Sequence, residues 1–150
     1  MSKPRKKTPV NIIIRNKINS GLRYLSADRR MLPSFIIVGA AKCGTTSLYN
    51  YLIQHPNILP SSRKEVHYFD YYHHKGLKWY KSHFPLKDEA DRRAKEINGT
   101  VITGESTPYY FAHPLAAARA KALLPNARLL IMLRNPIERA ISSYNNQVRL

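Results

Sequence analysis

From Ser34 to Gly39 the chain reads SFIIVG, a short apolar, β-branched run closed by glycine. That pattern predicts a buried parallel strand. TTSLYNYLIQHP follows with apolar positions at helical spacing, and Pro56 marks the stop. Between Asn57 and about Pro85 aromatics and histidines are dense but weakly periodic, which predicts loops and short elements. KDEADRRAKEI reads as a polar helix and TVITGES as a second strand. PLAAARAKALLP is a helix bracketed by Pro114 and Pro125, and ARLLIMLRNP is a third, strongly apolar strand. PIERAISSYNNQVRL is a helix entered through Asn135 as cap and Pro136 in the first turn. Strands alternating with helices predict an α/β fold built on a parallel sheet.

Upstream of this pattern the chain changes character. Residues 1–31 form a basic lead segment in which Lys3, Arg5, Lys6, Lys7, Arg15, Lys17, Arg23, Arg29 and Arg30 face only Asp28. Within it IIIRNKINSGLRYL predicts a short amphipathic helix. The whole chain of 150 residues carries 25 basic against 9 acidic side chains, a net charge of +16. Such a run reads first as a solvated tail, and second as a contact for anionic polymers or lipid. No motif for specific nucleic-acid recognition accompanies it. Cys43 is the single cysteine, so no internal disulfide framework exists, and a reducing compartment such as the cytoplasm is expected. No apolar run approaches the ~18 residues of a membrane span, and VNIII is shorter than a signal-peptide core.

The chemistry concentrates at the first strand–helix junction, GAAKCGTT. Gly39 and Gly44 keep the spacing of a phosphate-binding loop, but Thr45 stands where its lysine belongs, and Lys42 lies three residues early. Backbone N–H groups of Ala41, Cys43 and Gly44, hydroxyls of Thr45, Thr46 and Ser47, and the positive helix end can together cradle a phosphate. An ATP–Mg²⁺ site would need a lysine after Gly44 and a carboxylate at a strand end, whereas the third strand runs into Leu133-Arg134. A ligand with phosphates at both ends of a ribose suits these residues better. One phosphate would sit in the loop and the other near Arg134, a bidentate donor, and Ser142, two helical turns past Asn135. A plain structural role for Arg134, pairing with a carboxylate at the helix entry, stays open. His67, His73 and His74 lack the spacing and partners of a zinc site.

VGAAKCGTTSLYNYL together with LRNPIERAISSY resembles the two nucleotide-binding signatures of the sulfotransferases that use 3′-phosphoadenylyl sulfate. EVHYFD, YYHHKGLKWYKSHFP and GESTPYYF are similar to blocks of the heparan sulfate (glycosaminoglycan) branch and its bacterial relatives, in the same order. The resemblance implies a P-loop-like three-layer fold with a central parallel sheet over 32–150, of which this chain would hold the N-terminal portion. It implies transfer of a sulfuryl group from 3′-phosphoadenylyl sulfate, without a metal, to a hydroxyl or amine of a carbohydrate acceptor. Lys42 would then meet the charge on the bridging oxygen, and Glu65 would be the general base. Lys64 would orient Glu65 or contact an anionic acceptor. His67 is the second candidate for the base and would border the acceptor with Trp79, and the remaining tyrosines divide between core and cleft. Two departures bear on the acceptor. Ser106 stands where many glycosaminoglycan members have lysine, and Asn146 where the N-sulfotransferases have histidine. A divergent P-loop kinase, a basic polyanion-binding module and an inactive shortened domain are the competing expectations.

Overall fold

In the computed structural model, residues 10–148 are described. Lys3, Arg5, Lys6 and Lys7 of the basic run lie outside them. Helix α1 spans Val10–Leu25, so the amphipathic stretch of the lead segment is helical. Its C-terminal end is tied to the body by guanidinium groups. Arg23 donates to the carbonyls of Ser82 and Phe84 at 2.7 and 3.0 Å. The buried Arg30 donates to the same Phe84 carbonyl at 2.7 Å and forms an antiparallel bridge with Leu86.

Four parallel strands make the sheet in the order β2-β3-β1-β4: β1 Phe35–Gly39, β2 Ile58–Leu59, β3 Ile102–Ser106 and β4 Arg128–Ile131. The expected three strands are all there. The fourth, β2, is a two-residue strand inside the region read as loops, too short to show alternation. Between the strands run α2 Thr45–Leu52, α3 Gly76–Lys81, α4 Lys87–Glu96 and α5 Ala116–Leu123, and α6 Pro136–Val148 follows β4. No helix among the described residues is long and apolar enough to cross a membrane.

Alternation along β1 sends its side chains to two cores. Phe35 and Ile37 pack with Tyr49, Leu48 and Leu52 of α2, whereas Ile36 packs with Val66, Phe69, Tyr80, Phe84 and Tyr110. Helices therefore cover both faces, which is the three-layer arrangement. Most of the aromatics between positions 68 and 110 are spent on the second core. Phe35 also explains the glycine of GES: a Cβ on Gly104, its register partner, would collide with the Phe35 ring. Among the described residues the apolar strand β4 pairs with β1 alone, and its Leu129 and Ile131 are exposed.

Candidate active site

The parallel strands present their C-terminal ends to one side, where loops and helix N-termini gather. β1 delivers the loop 40–44. Gly44 caps α2 at φ 87°, a left-handed conformation that strains any residue with a Cβ. Lys42 adopts φ 66°, and its Nζ donates to Asn146 Oδ1 of α6 at 3.0 Å. β4 and α6 bring up the second wall. Asn135 caps α6 by accepting from the Ile137 N–H at 3.0 Å, and Arg134 lies just before it.

These elements enclose a cleft of about 580 Å³. Its walls include Ala41, Lys42, Gly44, Thr45, Thr46, Lys64, Glu65, Tyr109, Arg134, Ser142 and Asn146. A lobe of about 500 Å³ shares Lys42, Arg134, Ser142 and Asn146 and extends along α6 past Glu138 and Ile141. Residues separated by a hundred positions thus meet in one basic cavity. Cys43 and Ser47 do not line it: the Cys43 thiol is buried beneath the loop and Ser47 is exposed on α2. Trp79 lies elsewhere, in a separate cavity against His83 and Tyr72. Arg134 lines the cleft, and its Nε donates to Glu138 Oε2 at 2.9 Å, the carboxylate pairing expected at a helix entry.

The segment carrying Glu65 is held in an unusual shape. Glu65 and His67 have φ 55° and 58°, left-handed for residues with side chains. Hydrogen bonds from β3 and the turn after it impose this. Glu65 N–H donates to the Ser106 carbonyl at 3.2 Å, and Tyr68 N–H to Tyr110 Oη at 2.8 Å. His67 Nδ1 lies 2.7 Å from Oδ2 of Asp70, whose side chain is fully buried, and its Nε2 lies 3.7 Å from Glu65 Oε2. A carboxylate only accepts, so Nδ1 carries a ring proton, while Nε2 faces Glu65 at a distance beyond hydrogen bonding. Lys64 Nζ reaches back to Thr46 Oγ1 at 2.7 Å and stands 4.0 Å from Glu65. The general-base candidate is therefore wired to the phosphate loop on one side and to a His–Asp pair on the other.

Beneath the segment sits Glu105, fully buried. Tyr80, Thr107 and Tyr110 donate hydroxyls to its carboxyl, Tyr80 at 2.5 Å and Thr107 at 2.9 Å. Burial pushes its pKa up to about 7 against the lowering effect of those hydroxyls, and it raises that of Tyr80 well above the ordinary phenol value. Asp70 and Glu105 escaped the sequence reading, whereas Tyr109 is one of the tyrosines that border the cleft. The H-x-x-D spacing of His67 and Asp70 was a visible signal for the first. Glu105 sits in a block whose individual residues carry no spacing signature.

The sulfotransferase domain profile matches residues 32–150. The chain belongs to the sulfotransferase family. It is 38% identical over 118 residues to the membrane-associated sulfotransferase kil1 of Dictyostelium discoideum, covering 79% of this chain and 24% of that protein. It is 38% identical over 116 residues to human heparan sulfate glucosamine 3-O-sulfotransferase 6, covering 77% and 31%. Among solved structures, a sulfotransferase from Alicyclobacillus acidocaldarius superposes with a TM-score of 0.59 at 38% identity, covering 79% of this chain and 51% of that one. The chain thus spans about a quarter to a third of these two curated relatives and half of the bacterial structure. Among the described residues no group of three His, Cys, Asp or Glu side chains is placed to hold a metal ion.

Proposed function

We propose that this chain carries the donor side and the general base of a sulfotransferase centre. It would move a sulfuryl group from 3′-phosphoadenylyl sulfate to a hydroxyl of a carbohydrate acceptor. The observation that carries the reading is the convergence of Lys42, Glu65, Arg134 and Ser142 on one cleft. The donor set fits a ligand with two anionic ends. Thr45, Thr46 and the α2 N-terminus would take one phosphate, and Arg134 with Ser142 the other. Bound there, the donor supplies an activated sulfuryl group whose departure leaves charge on a phosphate oxygen.

The chain's own residues divide the remaining work. Glu65 takes the proton of the acceptor hydroxyl as its oxygen bonds to sulfur. His67, fixed by Asp70, sets the orientation of Glu65. Lys42 meets the negative charge that develops as the sulfur–oxygen bond to phosphate breaks and the electron pair stays on the phosphate. Of the two carboxylates of the cleft, Glu138 is paired with Arg134 and Glu65 stands 4.0 Å from the Lys64 ammonium. That favours anion transfer held by cations over an ATP–Mg²⁺ kinase. Asn146, at the α6 position where the N-sulfotransferases that the sequence resembles have histidine, favours a hydroxyl over an amine acceptor.

The test is transfer itself. With donor labelled in its sulfur and a heparosan-type oligosaccharide as acceptor, label should enter the oligosaccharide and vanish with Glu65→Gln. Label transferred equally by Glu65→Gln, or ATP-dependent phosphorylation in its place, would overturn the reading.

A further inference from the structure

A second cavity, of about 400 Å³, lies where α1, α3 and the 61–65 segment meet, outside the donor cleft. Arg23, Tyr24, Arg63, Lys75, Trp79 and His83 form its walls. Its composition is unusual for a structural gap. Lys75 Nζ lies 4.3 Å from the centre of the Tyr72 ring and 4.9 Å from that of Trp79. The Arg63 guanidinium also stands over the Tyr72 ring, 5.5 Å from its centre. Neither cation has a carboxylate partner among the described ion pairs. Arg23 is part of the wall, its guanidinium spent on the carbonyls of Ser82 and Phe84.

His83 closes the floor. Its ring packs edge-on against Trp79 at 4.5 Å, and its buried Nε2 has no hydrogen-bond partner. Burial, together with Arg63, Arg23 and Lys75, pushes its pKa down to about 4, so the imidazole is neutral at physiological pH. The cavity is therefore a half-buried aromatic face flanked by two unpaired cations. Aromatic faces stack against the C–H face of a sugar, and flexible cations meet its sulfate or carboxylate groups.

Its position couples it to the active site. Arg63 lines this cavity, and Glu65, two residues on, lines the donor cleft. Two residues span at most roughly 7 Å. The Ser62 N–H, donating to the His83 carbonyl at 2.7 Å, anchors the start of that segment. We propose that the cavity of Arg63, Lys75 and Trp79 is a distal subsite for an anionic saccharide unit of the acceptor, holding the glycan while another unit reaches Glu65. The inference rests on the carbohydrate-acceptor reading above and adds to it where the chain of the acceptor runs.

The protein contains one tryptophan, so its intrinsic emission reports this cavity directly. Titration of the full chain with a heparin-derived hexasaccharide should shift Trp79 emission saturably. The double variant Arg63→Gln/Lys75→Gln, whose melt should match the wild type, should weaken that response roughly tenfold or more. Glu65→Gln should leave it in place. An unchanged emission, an undiminished response in the double variant, or an equal response to inorganic sulfate or to a DNA oligonucleotide of matched charge would overturn the subsite. Stabilisation by adenosine 3′,5′-bisphosphate, followed on the same samples, separates the two claims. If it persists while the glycan response fails, only the subsite falls; if it too is absent, the donor reading falls with it.

Discussion

Lys42 and Asn146, 104 residues apart, are joined by a 3.0 Å hydrogen bond across the mouth of the donor cleft. The lysine that is displaced from its usual place in a phosphate loop is thus held by the helix of the second signature. Its ammonium is aimed before any ligand arrives, at the small entropic cost of one ordered side chain. Asn146→Ala removes the tether without removing the charge. Transfer should fall roughly five- to tenfold, about the worth of one hydrogen bond, while bisphosphate binding changes by less than roughly threefold. Steady-state kinetics beside a binding titration checks the split.

In the proposed centre Glu65 removes a proton and does not bind the donor. Glu65→Gln keeps its size and should lower transfer by roughly a hundred- to ten-thousand-fold, the usual contribution of a general base. Stabilisation by adenosine 3′,5′-bisphosphate should be unchanged. A loss of both would assign Glu65 to donor binding instead.

Arg134 is paired with Glu138 at 2.9 Å, both of them partly exposed. A phosphate must compete with that carboxylate. Because exposed pairs contribute little, Glu138→Gln should tighten bisphosphate binding by no more than about fivefold, and Arg134→Ala should weaken it. Calorimetric titration of the two variants gives opposite signs if the pair gates the site.

Buried Glu105 makes a prediction about pH. Its folded pKa, about 7, is above the ordinary carboxylate value of 4.5. Between these values the folded protein holds a proton that the unfolded chain has released, so this group's contribution to stability falls as pH rises from about 4.5 to 7. The effect is on the order of 3 kcal/mol across that window. Glu105→Gln should flatten the slope of Tm between pH 5 and 8 relative to wild type. Parallel slopes in the two proteins would contradict the burial argument.

Much of this arrangement was legible in the chain, and for physical reasons. SFIIVG, TVITGES and ARLLIMLRNP announce strands because a sheet buried on two faces demands continuous apolar runs. The donor loop was legible because a phosphate contact needs glycine and hydroxyls at fixed spacing. What stayed hidden depends on tertiary placement. The two residues of β2 are strand only because β3 is beside them. Trp79 reads as a sugar-stacking residue of the cleft, yet α3 turns it into a different cavity. Glu105 acts through Tyr80, a partner that only folding brings within reach, and nothing in the apolar run of β4 announces that Leu129 and Ile131 are exposed.

The most direct measurement is the melt of the full chain with adenosine 3′,5′-bisphosphate, set against ATP–Mg²⁺, for wild type, Lys42→Ala and Arg134→Ala. At a ligand concentration about a hundredfold above Kd, wild type should gain about 2.7 kcal/mol, a rise in Tm of roughly 5–10 °C. Arg134→Ala should lose most of that gain, and ATP–Mg²⁺ should give less than the bisphosphate. Stabilisation by ATP–Mg²⁺ alone, or a bisphosphate effect untouched by both substitutions, would contradict a donor site built from the 39–47 loop and Arg134.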